Sequence, residues 1–264
     1  MNTRLHIQTE VRDSKTILKD RFFTPPLKLA NVTEERREEV LKLVMMSSSP
    51  GIMDGDAYEI KIRLGKGSAL LLQTQSYQRL FSMKTGASQQ MEVVMDRNSS
   101  FTFLPHPTVP HRGSLFKAIN KIYVTGGCRL VWGEEFTCGR KQNGEVFQFS
   151  GYQNRTEIFL DGRLIVKDNL VIFPAQNGMD AIGQFEGYTH QATLVYIDES
   201  LAVDAMILEV NALLSEKEGV CAGVSALPVN GLIVRLLGYK AEQLYDCLGR
   251  INKLLTIGYV AQVK

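Results

Sequence analysis

The chain has 264 residues, 44% apolar and 22% charged, with a formal net charge of +2. This is ordinary soluble usage, enough for one large core and too balanced for the basic stripe of a nucleic-acid binder. No apolar run reaches the roughly 18 residues of a membrane span, and Met1 to Asp20 lacks the apolar core of a signal peptide, so a cytoplasmic protein without membrane association is expected.

In chain order, Thr33 to Glu39 is the first charged stretch. It reads as a short helix capped by Thr33 or as a solvated loop; Arg36 denies it a strict capping box. Tyr58 to Leu64 alternates, meets Gly65-Lys66-Gly67, and is followed by the more apolar Ser68 to Thr74, which suggests two adjacent strands. Met91 to Met95, Phe101 to Leu104, Lys121 to Val124, Arg129 to Trp132 and Val146 to Phe149 repeat the theme. Glu157 to Leu160 reaches Asp161-Gly162, a hairpin turn, and Arg163 to Val166, Leu170 to Phe173 and Thr193 to Ile197 continue it.

About ten or more short strands at a spacing of roughly 8–12 residues suggest a sandwich, barrel or β-solenoid. No strict repeat is visible. Near the end the period changes. Leu201 to Leu214 and Lys240 to Thr256 carry apolar residues at helical spacing, with the strand-like Gly231 to Leu237 between them. The expected architecture is mostly β, turning α+β at the C-terminus: one domain over 1–264, with a β-rich body (1–198) and a helix-strand-helix part (199–264).

Cys128, Cys138, Cys221 and Cys247 form no C-x-x-C pair. They read as free, largely buried thiols, with a soft-metal site at Cys128 and Cys138 as the alternative. Ser49 to Asp56 is rich in turn formers but lacks the Gly-Lys-Ser/Thr ending of a P-loop; it reads as a surface loop, or Asp56 projects into a polar interior. Ser76 lies in a polar patch without the G-x-S-x-G elbow of a nucleophile. Leu104 to His111 holds three prolines and two histidines, an extended segment outside any sheet. His106 and His111 read as loop histidines, or as a metal contact if further ligands lie nearby. Glu134, Glu135 and Asp168 flank expected strands; outward they are ordinary solvated carboxylates. Inward they are costly unless solvated, paired or bound to a cation.

An ordered set of motifs then resembles the UreD/UreH family of urease accessory proteins over nearly the whole chain. It comprises Phe23 to Leu29, Ser49-Pro50-Gly51 through Gly55-Asp56, Thr74 to Tyr77, Leu104 to Pro107 with Val109-Pro110-His111, and Trp132-Gly133-Glu134 with Gly139-Arg140. Gly144 to Phe147, Phe185 to His190, Gly223-Val224-Ser225 and Asn230 to Arg235 complete it. The resemblance implies a β-helix-like stack of strands with two C-terminal helices, no enzymatic activity and no tightly bound cofactor. It implies a chaperone for nickel insertion into the urease apoprotein, bound to UreF and through it to the GTPase UreG, in a dimeric complex bridged by UreF. It further implies passage of Ni²⁺ through an internal polar channel whose lining carries over to Asp56, Ser76, Glu134 and Asp168. Relatives often carry apolar residues at the positions of His106 and His111. The competing reading is a β-rich metal-dependent enzyme using His106, His111 and an acid such as Glu134.

Overall fold

The computed structural model describes residues 1–34, 38–176 and 178–262. Two antiparallel pairs open the chain: β1 (Asn2–Arg12) with β2 (Lys15–Phe23), and β3 (Leu27–Asn31) with β4 (Leu41–Ser47). Then come β5 (Ala57–Leu64), β6 (Ala69–Thr74), the short β7 (Gln78–Leu80), β8 (Ala87–Met95), β9 (Ser100–Phe103) and the short β10 (Thr108–Pro110). β11 (Leu115–Val124) and β12 (Arg129–Thr137) follow, then β13 (Gly151–Leu160), β14 (Arg163–Ile172) and β15 (His190–Ile197). The end is α1 (Val203–Ser215), β16 (Val220–Ala226), β17 (Gly231–Gly238) and α2 (Ala241–Gln262).

From β5 to β13 the chain winds between two sheets. β5, β8, β11 and β13 lie parallel in the first, ordered β14-β13-β11-β8-β5-β1-β2. β6, β9 and β12 lie parallel in the second, ordered β16-β17-β15-β12-β9-β6-β4-β3. This is the β-helix-like body expected from the resemblance. Alternation drives it: Tyr58, Ile60, Ile62 and Leu64 of β5 are buried while Lys61 and Arg63 are exposed, so each strand offers one apolar face to the opposite sheet. The main core fills the space between, with Leu5, Ile62, Leu64, Leu72, Val93, Met95, Phe101, Ile122, Leu130 and Ile158 almost fully buried.

Three matching turns carry the chain from the first sheet to the second: Gly65 to Ser68, Asp96 to Ser99 and Thr125 to Cys128. In each, the fourth residue's N–H donates to the first residue's carbonyl, at 3.0, 3.1 and 3.3 Å. The third residue has positive φ in each: Gly67 at 71°, Asn98 at 59° and Gly127 at 74°. Gly and Asn are the residues that tolerate this region. The turns stack, since Ser100 N–H donates to the Ser68 carbonyl at 2.7 Å and Arg129 N–H to the Ser99 carbonyl at 2.9 Å.

A second core lies on the outer side of the second sheet. Val131, Leu194, Tyr196, Leu232, Val234 and Leu236 pack there against Val210 and Leu214 of α1 and Leu244, Leu248 and Ile251 of α2. β15 is thus covered on both faces, which explains its nearly continuous burial.

Several sequence expectations are corrected. β5 and β6 are not paired neighbours; their Gly turn crosses from one sheet to the other. The alternating signal cannot distinguish a hairpin from a corner. By contrast β13 and β14 are a true hairpin, with Asp161 at φ 46° and Gly162 at 82°, as a two-residue primed turn requires. Arg163 to Val166 and Leu170 to Phe173 merge into the single strand β14, which ends at Ile172. Val146 to Phe149 is a loop, with Phe147 at φ 51°, fixed by its rings: Phe147 lies 4.9 Å from Phe185, and Phe149 5.7 Å from Phe136. The prolyl segment does join a sheet, because β10 pairs in parallel with β7. Thr33 starts no helix: its N–H donates to Asn31 Oδ1 and its Oγ1 accepts from Lys42 N–H, closing the β3–β4 link. Glu35, Arg36 and Arg37 of that stretch lie outside the described residues.

Candidate functional site: a polar interior behind a break in the second sheet

Midway along the strands the space between the sheets is polar, with apolar core residues on either side. β11 brings Asn120 inward, and β13 brings Asn154 and Thr156, in register across the β11–β13 ladder. From the opposite sheet β12 contributes Glu134. Four donors converge on that carboxylate: Trp132 Nε1 at 2.7 Å and Asn120 Nδ2 at 3.2 Å on Oε1, Asn154 Nδ2 at 2.6 Å on Oε2, and the Thr156 hydroxyl on Oε1. Asn120 Nδ2 also reaches Asn154 Oδ1 at 3.0 Å. Burial raises the Glu134 carboxyl above its ordinary range; hydrogen bonds from Thr156, Trp132 and Asn154 oppose this, and the charge of Asp168 adds to it.

A cavity of about 150 Å³ reaches this network, lined among others by Ser76, Tyr77, His106, Asn120, Glu134 and Tyr152. Ser76 is exposed. A smaller cavity of about 20 Å³ shares Glu134, Glu135, Tyr152 and Asn154 with it and continues to Asp168, Gln191 and Thr193. Asp168, on β14, pairs with Arg235 of β17 at 2.9 Å. Ser76 and Glu134 therefore border the first cavity, and Glu134 and Asp168 the second.

Asp56 does not line these cavities. It closes the Met53–Asp56 turn, taking Met53 N–H on Oδ2 at 2.9 Å and the Met1 ammonium on Oδ1 at 3.1 Å. Its influence on the cavity runs through Tyr58, a lining residue whose hydroxyl is pushed up to about 12, first by burial and then by the Asp56 charge.

The Leu104 to Pro107 segment breaks the second sheet. The β9–β12 ladder stops at Phe103 opposite Trp132, and β10 rejoins β12 only at Thr108 opposite Phe136. Pro105 and Pro107 have no N–H to donate, so Gly133 to Glu135 have no ladder partner on that side. Alternation along β12 then divides the two acids. Glu134 faces inward with Trp132 and Phe136, and Glu135 follows Val131 toward the helix layer. Glu135 is 5% exposed, and neither carboxyl oxygen has a hydrogen-bond partner among the described residues. Burial, with the charge of Glu242 on α2 added, raises its carboxyl to about 9.

The two histidines are held apart by different neighbours. His106 Nδ1 lies 3.1 Å from Thr74 Oγ1, and its ring stacks on Tyr245 of α2 at 4.9 Å. His111 is buried edge-on against Phe81, and burial and Arg140 hold its imidazole below the ordinary range. Among the described residues no three His, Cys, Asp or Glu converge to hold a metal. Cys128 and Cys138 flank the nine-residue β12, about 30 Å of extended chain, which separates them as ligands. All four cysteines are free and only Cys221 is exposed.

Sequence reasoning missed Asn120, Asn154 and Thr156. The signal was present: each occupies a position in the apolar phase of an alternating strand, where Phe116, Ala118, Ile122 and Val124, or Tyr152 and Ile158, mark the inward face.

Fold and site together define a scaffold with a polar interior. Residues 1–262 match the family model described as UreD urease accessory protein, and the chain belongs to that family. It is 45% identical to the urease accessory protein UreD of Flavobacterium johnsoniae, over 97% of this chain and 93% of that one. It is 34% identical to the protein of the same name from Acetivibrio thermocellus, covering 96% and 97%. Against that of Haemophilus influenzae it is also 34% identical, covering 97% and 99%. These relatives are named as accessory proteins to an enzyme and not as enzymes. No helix among the described residues is long and apolar enough to cross a membrane.

Proposed function

We propose that this member of the urease accessory family serves nickel insertion into the urease apoprotein by letting hydrated Ni²⁺ pass through its polar interior. The observation that carries the reading is Glu134, a half-buried carboxylate with four donors that borders both the cavity lined by Ser76 and the one lined by Asp168. A carboxylate held this way offers negative charge to a passing cation, while the Asn and Thr groups around it can exchange partners with the ion's water shell. Ni²⁺ accepts oxygen ligands, and a lining of oxygens and amides without thiolates binds it weakly enough to release it. Nickel here is cargo, with no resident cofactor. The partners fitting this role are the urease apoprotein on one side and UreF, with UreG beyond it, on the other, in a cytoplasmic complex dimerised through UreF.

The test is co-expression with urease, UreF and UreG at limiting nickel. Glu134→Ala is expected to assemble into the complex normally, as read by pull-down, and to lower urease activation about tenfold or more, the scale of one lost charge contact. Activation should recover at high nickel. Full activation by Glu134→Ala at limiting nickel would sink the transit reading and leave assembly through surface contacts as the role.

A further inference from the structure

The break in the second sheet leaves one group unexplained by passage between the sheets. Glu135 is 95% buried by area, lines both the larger and the smaller cavity, and has no partner for either carboxyl oxygen among the described residues. A buried carboxyl left this way costs stability compared with an apolar side chain of the same size. Leu would fill the position without that cost. The acid is instead set where Pro105 and Pro107 hold the sheet open, so the interior reaches the helix side beside it.

The residues beyond the opening are also polar. Tyr77 borders the cavity and its O–H donates to Glu242 Oε1 at 2.9 Å. The Glu135 charge reaches the hydroxyls of both Tyr77 and Tyr245. Glu242 is exposed in the first turn of α2. The opening thus gathers a buried acid without a partner, the exposed Glu242 bonded to Tyr77, and the His106 ring, 6.0 Å from the Tyr77 ring and stacked on Tyr245.

We propose that Glu135 and Glu242 form a second cation station, taking a hydrated divalent ion where the interior opens under α2. The inference rests on the transit reading and adds to it a branch through the second sheet, opening beside the cavity that Asp168 lines. Two carboxyl groups with tyrosine hydroxyls and water suit a weakly held ion with most of its hydration shell kept, the ion displacing the Glu135 proton to solvent. Arrival of the ion gives the Glu135 oxygens the partner they lack.

The full chain would be titrated with NiCl₂ by calorimetry, beside Glu135→Gln, Glu242→Gln and, as a control on α1, Glu209→Gln. Wild type is expected to show one weak saturable site. Glu135→Gln and Glu242→Gln should each weaken it about tenfold, and Glu209→Gln, exposed on α1, should leave it within about twofold. Gln keeps the shape of Glu135, and Glu242 is exposed, so the second variant reports on the site even where the first folds poorly. Wild-type affinity in both Glu135→Gln and Glu242→Gln, or no saturable binding by wild type, would overturn the station. Neither result touches the transit reading, which falls only if Glu134→Ala activates urease fully. Nickel binding lost in those two variants, together with full activation by Glu134→Ala, would keep the station and sink transit.

Discussion

Along β11 and β13 the space between the sheets changes character from one inward position to the next. Asn120 stands opposite Thr156, and two residues on Ile122 stands opposite Ile158. All four are buried, yet the first pair belongs to the Glu134 network and the second to the dry core around Val93, Leu130 and Met95. The two layers are stabilised differently. Each large aliphatic side chain in the dry layer contributes roughly 1.5–3 kcal/mol by burial. In the polar layer each hydrogen bond adds only about 1 kcal/mol net, since it replaces one made to water. Stability therefore resides mainly in the apolar layers, which flank the polar one on both sides and leave it free to hold a passage.

The comparison breaks most sharply at Ile122. Ile122→Ala removes atoms from a fully packed site and is expected to cost about 2–5 kcal/mol, with melting lowered roughly 2–4 °C per kcal/mol. Thermal unfolding would read it; a loss under about 1 kcal/mol would mean that the apolar layer is not the mainstay. Asn120→Ala, one inward position earlier, takes donors from Glu134, Asn154 and Thr156. The expected cost is only about 1–2 kcal/mol, because water can enter the adjoining cavity. Urease activation per folded molecule should nevertheless fall further than with Ile122→Ala. Equal activation by the two variants would erase the functional distinction between the layers.

The smallest effect lies in the loop that follows β12. Glu145 receives Arg140 Nε at 2.9 Å, the Arg140 Nη2 group and Arg112 N–H at 3.2 Å, which together hold its carboxyl near 2 against an ordinary 4.5. Because the folded value is the lower one, the stabilisation is fully present above about pH 4.5. It is lost as pH falls toward 2. Arg140 is 42% exposed, so solvent screening limits the contribution to about 1 kcal/mol. Glu145→Gln should lower the melting temperature at pH 6 and match wild type near pH 2. A gap that persists at pH 2 would assign the loss to packing instead of charge.

The winding itself was hidden in the sequence because its three corners use different residues. Gly67, Asn98 and Gly127 meet one backbone demand with two chemistries, and the strands between them share only alternation, so no repeat registers. Parallel register is set by stacking across sheets, to which a local pattern is blind. The site divides in the same way. Ser76, Glu134 and Asp168 were named through the resemblance; the first two border the larger cavity and the last two the smaller, while Asp56, named on the same ground, lines neither.

Sequence alone determined the mostly β class, the two helices near the end, the β13–β14 hairpin and the family resemblance. These rest on local periodicity, turn chemistry and ordered motifs, all written in neighbouring residues. Tertiary structure decided that Glu134 turns inward to four donors while Glu135 turns to the helices. The reason is that adjacent strand residues always face opposite sides, and only the packed partners on each side say which is which.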